Sequence, residues 1–282
     1  MCDLTVIILT FNEEKNIEKC ITSTKNLAKR IVLVDSYSED STVSIAKDLG
    51  CEVVFHKFVN QADSFNYALK NLDISTKWIL RLDADEQLTE KSADEIAKFV
   101  EVNDATDVNG ALLRFNVNFL GRELRHGGIY PFRKLVLFKN GKAHMEQRHM
   151  DEHIVLDEGS YLPLKCDSLH CDYKDLSTWI DKHNKYSSRE VLDYFALRET
   201  NESQCHIKLN FSARVKRFIK TKIYYKLPMG TRAHLYYIYR YYFKLGFLDG
   251  KEGKIFCFLQ AYWYRFLVDA KIYEKRRVED YE

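Results

Sequence analysis

The sequence predicts an α/β protein, a Rossmann-like sheet flanked by helices and followed by a helical extension. Three observations point there. Short apolar runs alternate with amphipathic stretches through the first hundred residues, the pattern left by strands that helical crossovers join into a parallel sheet. Polar clusters stand at the ends of those runs, and the carboxyl ends of strands are where open sheets of this kind bind ligands. Residues 205 to 282 instead interleave basic and aromatic side chains.

Taken in order, Thr5-Val6-Ile7-Ile8-Leu9, Ile31-Val32-Leu33-Val34, Val53-Val54-Phe55 and Trp78-Ile79-Leu80 read as buried parallel strands. In the first helix between them, Ile17, Cys20, Ile21, Thr24 and Leu27 recur at spacings of three and four and make one buried stripe. The second is expected to be capped by Asp40 or Ser41, whose side-chain oxygens accept from unpaired amides, and to bury Val43, Ala46 and Leu49. From residue 109 to 165 the character changes. Ala111 to Val117 and Lys134 to Phe138 look like strands, separated by a charged, glycine-containing loop from Gly121 to Gly128. A helix with Leu176, Trp179, Ile180 and His183 on one side then leads into the basic aromatic tail.

Composition bounds the answer. A chain of 282 residues with 46% hydrophobic content can bury a substantial core as one large domain or two small ones. No basic start followed by an apolar stretch suggests a secretory leader, and seven widely spaced cysteines fit a reducing cytoplasm. Cys166 and Cys171 could bind a metal with His170, or be small buried apolar residues, the favoured reading. The net charge of +2 hides a basic tail, where 17 Lys and Arg face 7 Asp and Glu. The same tail holds 19 of the 38 aromatic residues, which suits an anionic membrane surface. Nucleic acid is not expected, because no recognised binding motif accompanies the charge.

Three polar clusters fall at strand ends: Thr10-Phe11-Asn12-Glu13-Glu14, Asp35-Ser36-Tyr37-Ser38 and Asp83-Ala84-Asp85. Two carboxylates one residue apart, where a buried strand opens into a loop, can hold a hard divalent cation that keeps positions open for a diphosphate. Neither a phosphate-binding P-loop nor a dinucleotide fingerprint is present, so a metal is the obvious phosphate anchor.

In the order and spacing of these clusters the chain resembles an inverting family 2 glycosyltransferase with the GT-A fold, a mixed Rossmann-like sheet flanked by helices. The stretches Phe119-Leu120-Gly121-Arg122, Arg125-His126-Gly127-Gly128, Phe138-Lys139-Asn140-Gly141 and Gly246-Phe247-Leu248-Asp249-Gly250 are similar to bacterial enzymes that build lipopolysaccharide core or capsule. The resemblance implies a nucleotide-sugar half over 1–108, an acceptor half of the same domain over 109–204, and a helical tail over 205–282. It implies a UDP-sugar donor, a saccharide or lipid-linked glycan acceptor, Mg2+ or Mn2+ as cofactor, and a cytoplasmic protein peripheral on the inner face of the membrane.

Carried over by position, Phe11 packs against the base or is an ordinary core aromatic. Glu13 contacts the nucleoside. Asp35 accepts from the uracil N3–H or caps a turn. Asp85 ligates the metal, and Asp83 reaches the ribose or a metal-bound water. Gln87 matches an Asp-Ala-Asp-x-Gln arrangement whose glutamine reaches the metal, although a surface glutamine is the favoured reading. His170 is an additional metal or diphosphate contact or a structural histidine, and His126 sits in a loop that could close over donor or acceptor.

Inverting transfer is one in-line displacement and needs a carboxylate to take the acceptor proton. Met150-Asp151-Glu152-His153 supplies the candidates, with Glu152 preferred to Asp151. One departure stands out: the family carries Arg or Lys before an Asn in the helix preceding the metal motif, whereas here the run is Gln61-Ala62-Asp63-Ser64-Phe65-Asn66. Either Lys57, Lys70 or a basic residue of the Arg122 to Arg133 loop replaces it, or the donor is held more by metal than by side chains. The alternative is a catalytically weak member kept as a membrane-associated binding or assembly module. Ile255 to Val268 is too short and too polar, with Gln260 and Arg265, to cross a bilayer. Arg214, Lys216, Arg217, Lys220 and Lys222 are the expected headgroup contacts, or the solvated side of an interior helical pair.

Overall fold

The first strand shows how this sequence builds two cores at once. In β1 (Cys2–Thr10) successive side chains alternate faces. Leu4, Val6 and Ile8 enter one fully buried cluster while Ile7 enters another. The computed structural model describes residues 1–146, 152–199 and 228–279, and divides into two compact units, Met1–Arg125 with Ile129–Lys174 and His126–Gly128 with Asp175–Glu282.

In the first unit, β1 lies between β2 (Ala28–Asp35) and β4 (Trp78–Asp83), with β3 (Glu52–Phe55) beyond β2, all parallel. The sheet then turns mixed. Antiparallel β8 (Phe132–Lys139) joins β4 to β6 (Val108–Phe119), β6 pairs in parallel with β11 (Ser160–Cys171), and β5 (Glu86–Gln87) closes the far edge against β11. A short β7 (Arg122–Leu124) turns back on β6, and β9 (Ala143–Met145) with β10 (Ile154–Leu156) makes a separate hairpin.

Helices cover both faces. α1 (Ile17–Thr24) buries Ile17, Cys20, Ile21 and Thr24 as the spacing predicts, and Leu27 is buried beyond its end. It joins α4 (Glu90–Val102), which contributes Ile96 and Phe99, over the Leu4, Val6 and Ile8 face. In α2 (Thr42–Asp48) Ser41 is the capping residue, but the side-chain oxygen that accepts is Asp40 Oδ1, from Thr42 N at 3.0 Å. Ala46 is fully buried there, whereas Val43 and Leu49 are half-buried. On the opposite face α3 (Gln61–Asn71) lays Ala62, Phe65 and Ala68 against Ile7, Val34, Ile79 and Phe138. Burying Phe65 completely is worth about 2 to 3 kcal/mol, and this is the position where the resemblance implies a cation.

The second unit is helical. α5 (Leu176–Glu199) stacks Trp179 on His183 at 3.5 Å and packs Val191 against Tyr264, Val268 and Ile272. α6 (Thr231–Ile238) continues into a π turn, Tyr239–Phe243. After a 3-10 turn at Gly246–Asp249, α7 (Gly250–Phe256) runs through a second π turn, Cys257–Trp263, into α8 (Tyr264–Glu279). The polar residues noted within the apolar stretch are engaged, Gln260 with Arg240 and Arg265 with Glu190. No helix among the described residues is long and apolar enough to cross a membrane. The basic run Arg214, Lys216, Arg217, Lys220 and Lys222 lies outside the described residues.

Candidate active site

The register of the parallel strands brings the three polar clusters side by side. Thr10 faces Asp35 across β1 and β2, and Leu9 faces Asp83 across β1 and β4. Their loops are stitched together: Asn12 N donates to Ser38 Oγ, Glu13 N to Thr42 Oγ1, and Glu14 N to Asp40 Oδ2. Asn12 and Tyr37 adopt positive φ, 54° and 62°, so the backbone reverses tightly at both strand ends.

Phe11 is 52% exposed, which excludes the core reading. Tyr37 and Phe55, also exposed, stack on each other with centroids 5.5 Å apart at neighbouring strand ends. Asp35 is completely buried and accepts three hydrogen bonds, from Thr10 Oγ1, Ser38 N and Ser38 Oγ. It therefore caps its turn, and one of the four acceptor sites of its carboxylate remains. Glu13 holds Lys174 Nζ at 2.6 Å and accepts from Asn16 Nδ2 at 2.6 Å. Burial raises the Glu13 carboxyl above its ordinary value, against the pull of Lys174.

At the end of β4 a charge network replaces the expected pair of open carboxylates. Asp83 Oδ1 accepts from Arg81 at 2.6 Å and Asp83 Oδ2 from Lys134 Nζ at 2.8 Å. Lys134 also reaches Oε1 of Glu86, which is fully buried and whose Oε2 accepts from Asp83 N. Burial opposes the charge on Asp83, but Arg81 and Lys134 outweigh it and hold the carboxyl well below the carboxylate range. Lys134 is raised above the ordinary lysine value because Asp83 and Glu86 overcome its desolvation. Arg81 also donates to Gln61 Oε1 at 3.1 Å, on the first turn of α3.

Arg81 and Lys134 are thus cations beside the acidic motif, and neither is among the replacements named from the sequence. Arg81 was legible: it lies two residues before Asp83 on one strand, hence on the same face. Lys134 was not, because only the β4–β8 pairing carries it there.

Asp85 sits beside His170. The pairing of β5 with β11 sets Glu86 opposite His170, and His170 Nδ1 lies 3.7 Å from Asp85 Oδ1 and 3.8 Å from Glu86 Oε1. These distances are too long for hydrogen bonds, and His170 Nδ1 is buried without one. Burial alone would lower the imidazole, but Asp85 and then Glu86 raise it above its ordinary value. The carboxylate oxygen suits Mg2+ or Mn2+, and an imidazole nitrogen converging with it favours a first-row ion such as Mn2+ over Mg2+, which takes oxygen ligands. Among the described residues no three His, Cys, Asp or Glu side chains close on one point. An ion would therefore complete its shell from water and diphosphate, the usual habit of Mg2+ at phosphate sites.

Gln87 is not brought to this pair: it lies opposite Leu169, and its carboxamide is 3.5 Å from the Tyr173 hydroxyl. Cys171 follows His170 on the strand and so points to the other face, which removes a shared Cys171–His170 metal site. His126 belongs to the helical unit, where its backbone N and ring Nδ1 both meet Asp249.

Of the candidate bases, Asp151 lies outside the described residues, and Glu152 is half-buried just before β10. The hairpin behind it is tied to α3. Asn66 Nδ2 donates to Met145 O at 2.8 Å, and Met145 N donates to Asn66 Oδ1 at 3.0 Å. Asn66 is thus a positioning residue for the hairpin. Asn66→Ala strands both backbone groups of the buried Met145, and thermal unfolding is expected to show a loss of about 2 kcal/mol. An unchanged melting temperature would contradict this role.

Comparison with known proteins agrees with this fold. The family model described as Glycosyl transferase family 2 matches residues 5–155, from β1 through the hairpin. The lipopolysaccharide core biosynthesis glycosyltransferase LpsC of Rhizobium meliloti is 24% identical over 98% of this chain and 94% of its own. An uncharacterised glycosyltransferase of Rickettsia bellii is 39% identical, but over 33% of this chain, so the chain spans about a third of that relative (31%). The mannosyltransferase PcManGT of Pyrobaculum calidifontis, solved with GDP-Man and Mn2+, shares the fold at a TM-score of 0.55 and 14% identity, covering 96% of this chain and 86% of its own. With its GT-A-like mixed sheet, its acidic strand ends and a family match over more than half its length, the chain belongs to glycosyl transferase family 2.

Proposed function

We propose that the protein is a metal-dependent inverting transferase that moves a sugar from a UDP-sugar to a saccharide or lipid-linked glycan in lipopolysaccharide or capsule assembly. The observation that carries this reading is the juxtaposition, at the carboxyl ends of β2, β1 and β4, of buried Asp35, exposed Phe11 and the Asp83–Asp85 motif. The whole-length similarity to LpsC supports the class of acceptor.

Phe11 offers a face on which a base stacks, worth about 1 kcal/mol beyond area burial. The remaining acceptor site of Asp35 is the one an imide N–H would use. Asp83, kept anionic by Arg81 and Lys134, is a fixed acceptor for ribose hydroxyls. Arg81 and Lys134 also offset the carboxylates that a diphosphate would otherwise meet. Asp85 with His170 would hold a divalent cation, which when bound would supply charge stabilisation for the departing diphosphate. Glu152 takes the acceptor proton as the acceptor oxygen attacks the anomeric carbon from the side opposite the leaving group. The basic aromatic tail keeps the protein at an anionic membrane, where a lipid-linked acceptor resides.

Incubation with a panel of sugar nucleotides, reading donor hydrolysis, tests the donor without requiring an acceptor. UDP-sugars are expected to be consumed in Mn2+, and preference for a guanine nucleotide would overturn the uracil reading. Glu152→Gln should bind UDP as the wild type does while transfer falls about 100-fold or more. Wild-type transfer by that variant would remove Glu152 as the base.

A further inference from the structure

The helical unit carries aromatic side chains that remain exposed among the described residues. Tyr241 contacts Tyr237 at 5.4 Å, Tyr242 at 5.0 Å and Phe247 at 6.2 Å between centroids, and Tyr237 meets Phe258 at 6.3 Å. These ring contacts link the Tyr239–Phe243 turn, the 3-10 turn and α7's continuation into one strip. Tyr242, Phe247 and Phe258 on it are 56%, 43% and 48% exposed, and Phe243 beside them is 76% exposed. Contiguous exposed rings on this scale mark an interaction site.

The knuckle that presents them is held from behind. Leu245 takes a left-handed φ of 58°, and a Cβ on Gly246 would lie 2.8 Å from Cys257 Sγ and 2.9 Å from Arg240 O, so the chain must turn here on glycine. Buried Asp249 grips His126 through two contacts, Gly127 N donates to Lys244 O at 2.8 Å, and Arg240 Nε donates to Gly127 O at 2.7 Å. A surface ordered in advance gives up little conformational entropy when it docks.

Charge selects the occupant. Among the described residues, the exposed ionic side chains of the segment that carries the strip, from Tyr239 to Phe258, are Lys244, Lys251 and Lys254, while Asp249 is buried against His126 and Glu252 is half-buried. A two-fold dimer on this face would bring three lysines against their own images, and the cores of protein interfaces are depleted of charge. Rings flanked by lysines instead match the interfacial zone of a bilayer, with aromatics at headgroup depth and cations on anionic phosphates.

We propose that the Tyr242–Phe243–Phe247–Phe258 surface inserts into the interface of an anionic phospholipid membrane, with Lys244, Lys251 and Lys254 on the headgroups. This deepens the membrane reading above by moving the contact from the basic run at 214 to 222 onto a named surface.

The test is co-sedimentation of the full chain with vesicles of phosphatidylglycerol and phosphatidylethanolamine, against vesicles of phosphatidylcholine alone. Wild-type protein is expected to sediment with the anionic vesicles only. Phe243→Ser with Phe247→Ser should weaken that partition about tenfold, and Lys244→Gln, Lys251→Gln and Lys254→Gln together should remove most of the preference for phosphatidylglycerol. Both variants should keep the wild-type melting temperature and rate of donor hydrolysis in solution. Three results overturn the proposal. Wild-type protein that ignores anionic vesicles removes the membrane reading altogether, while serine variants that bind as the wild type does move the contact elsewhere in the tail. A wild-type dimer that the serine pair converts to monomer makes the strip a self-association face.

Discussion

Replacing Asp85 by Asn is expected to lower sugar transfer about a thousandfold, a loss of about 4 kcal/mol in transition-state stabilisation. The amide keeps the size of the side chain, and the backbone hydrogen bond from Cys171 N to Asp85 O, 2.8 Å long, does not depend on the carboxylate. The loss should therefore be chemical rather than structural. Two measurements separate these causes. Thermal unfolding without nucleotide should be close to wild type, whereas the extra stability that UDP confers in Mn2+ should disappear. Transfer that continues at the wild-type rate, or UDP stabilisation that persists in the variant and responds to Mn2+ as before, would move the cation away from Asp85.

A second large effect is expected from Lys134→Met, which should destabilise the fold by about 3 kcal/mol. One ammonium serves two carboxylates here, Asp83 at 2.8 Å and the fully buried Glu86 at 2.5 Å. Removing one partner of such a pair leaves uncompensated charge in the interior, which costs about 3 to 5 kcal/mol. The lower value is chosen because the lysine side chain is 20% exposed and water partly screens it. Asp83 is depressed in the folded state, so its stabilisation is present above its unfolded value near pH 4 and lost as the pH falls through the lower folded value. With Lys134 gone, that depression rests on Arg81, with a smaller contribution from His170. Acid unfolding of the variant should therefore begin at higher pH than in the wild type. Denaturant titrations across the acid range measure both effects, and a midpoint within error of wild type at neutral pH would show that Glu86 and Asp83 find other partners.

The same network explains why reading the sequence located this site better than it described it. Asp83-Ala84-Asp85 was placed at a strand end by the apolar run before it, and Phe11 and Asp35 by theirs, because burial imposes that local pattern. Arg81 could have been paired with Asp83 from strand alternation alone. The partners of the other groups come from far along the chain: Lys134 for Asp83, Lys174 for Glu13, His170 for Asp85 and Met145 for Asn66. Each is brought in by a strand pairing or loop closure that no local pattern encodes. Phe65 illustrates the converse. Its position in the resembling family called for a cation, yet its fit into the Ile7, Val34, Ile79 and Phe138 core makes an aromatic the stable choice.

The sequence by itself determined the parallel half of the sheet, the stripe of α1 and the three strand ends where the polar clusters gather. These depend on periodicity and burial, which act over a few residues. Only the tertiary structure decided that Asp83 faces two cations while Asp85 faces His170, that Asp35 caps its turn as well as offering an acceptor, and that Asn66 holds the hairpin behind Glu152. Those outcomes depend on β4 meeting β8 and β5 meeting β11, contacts between distant segments in which a shift of one residue would turn each side chain to the opposite face.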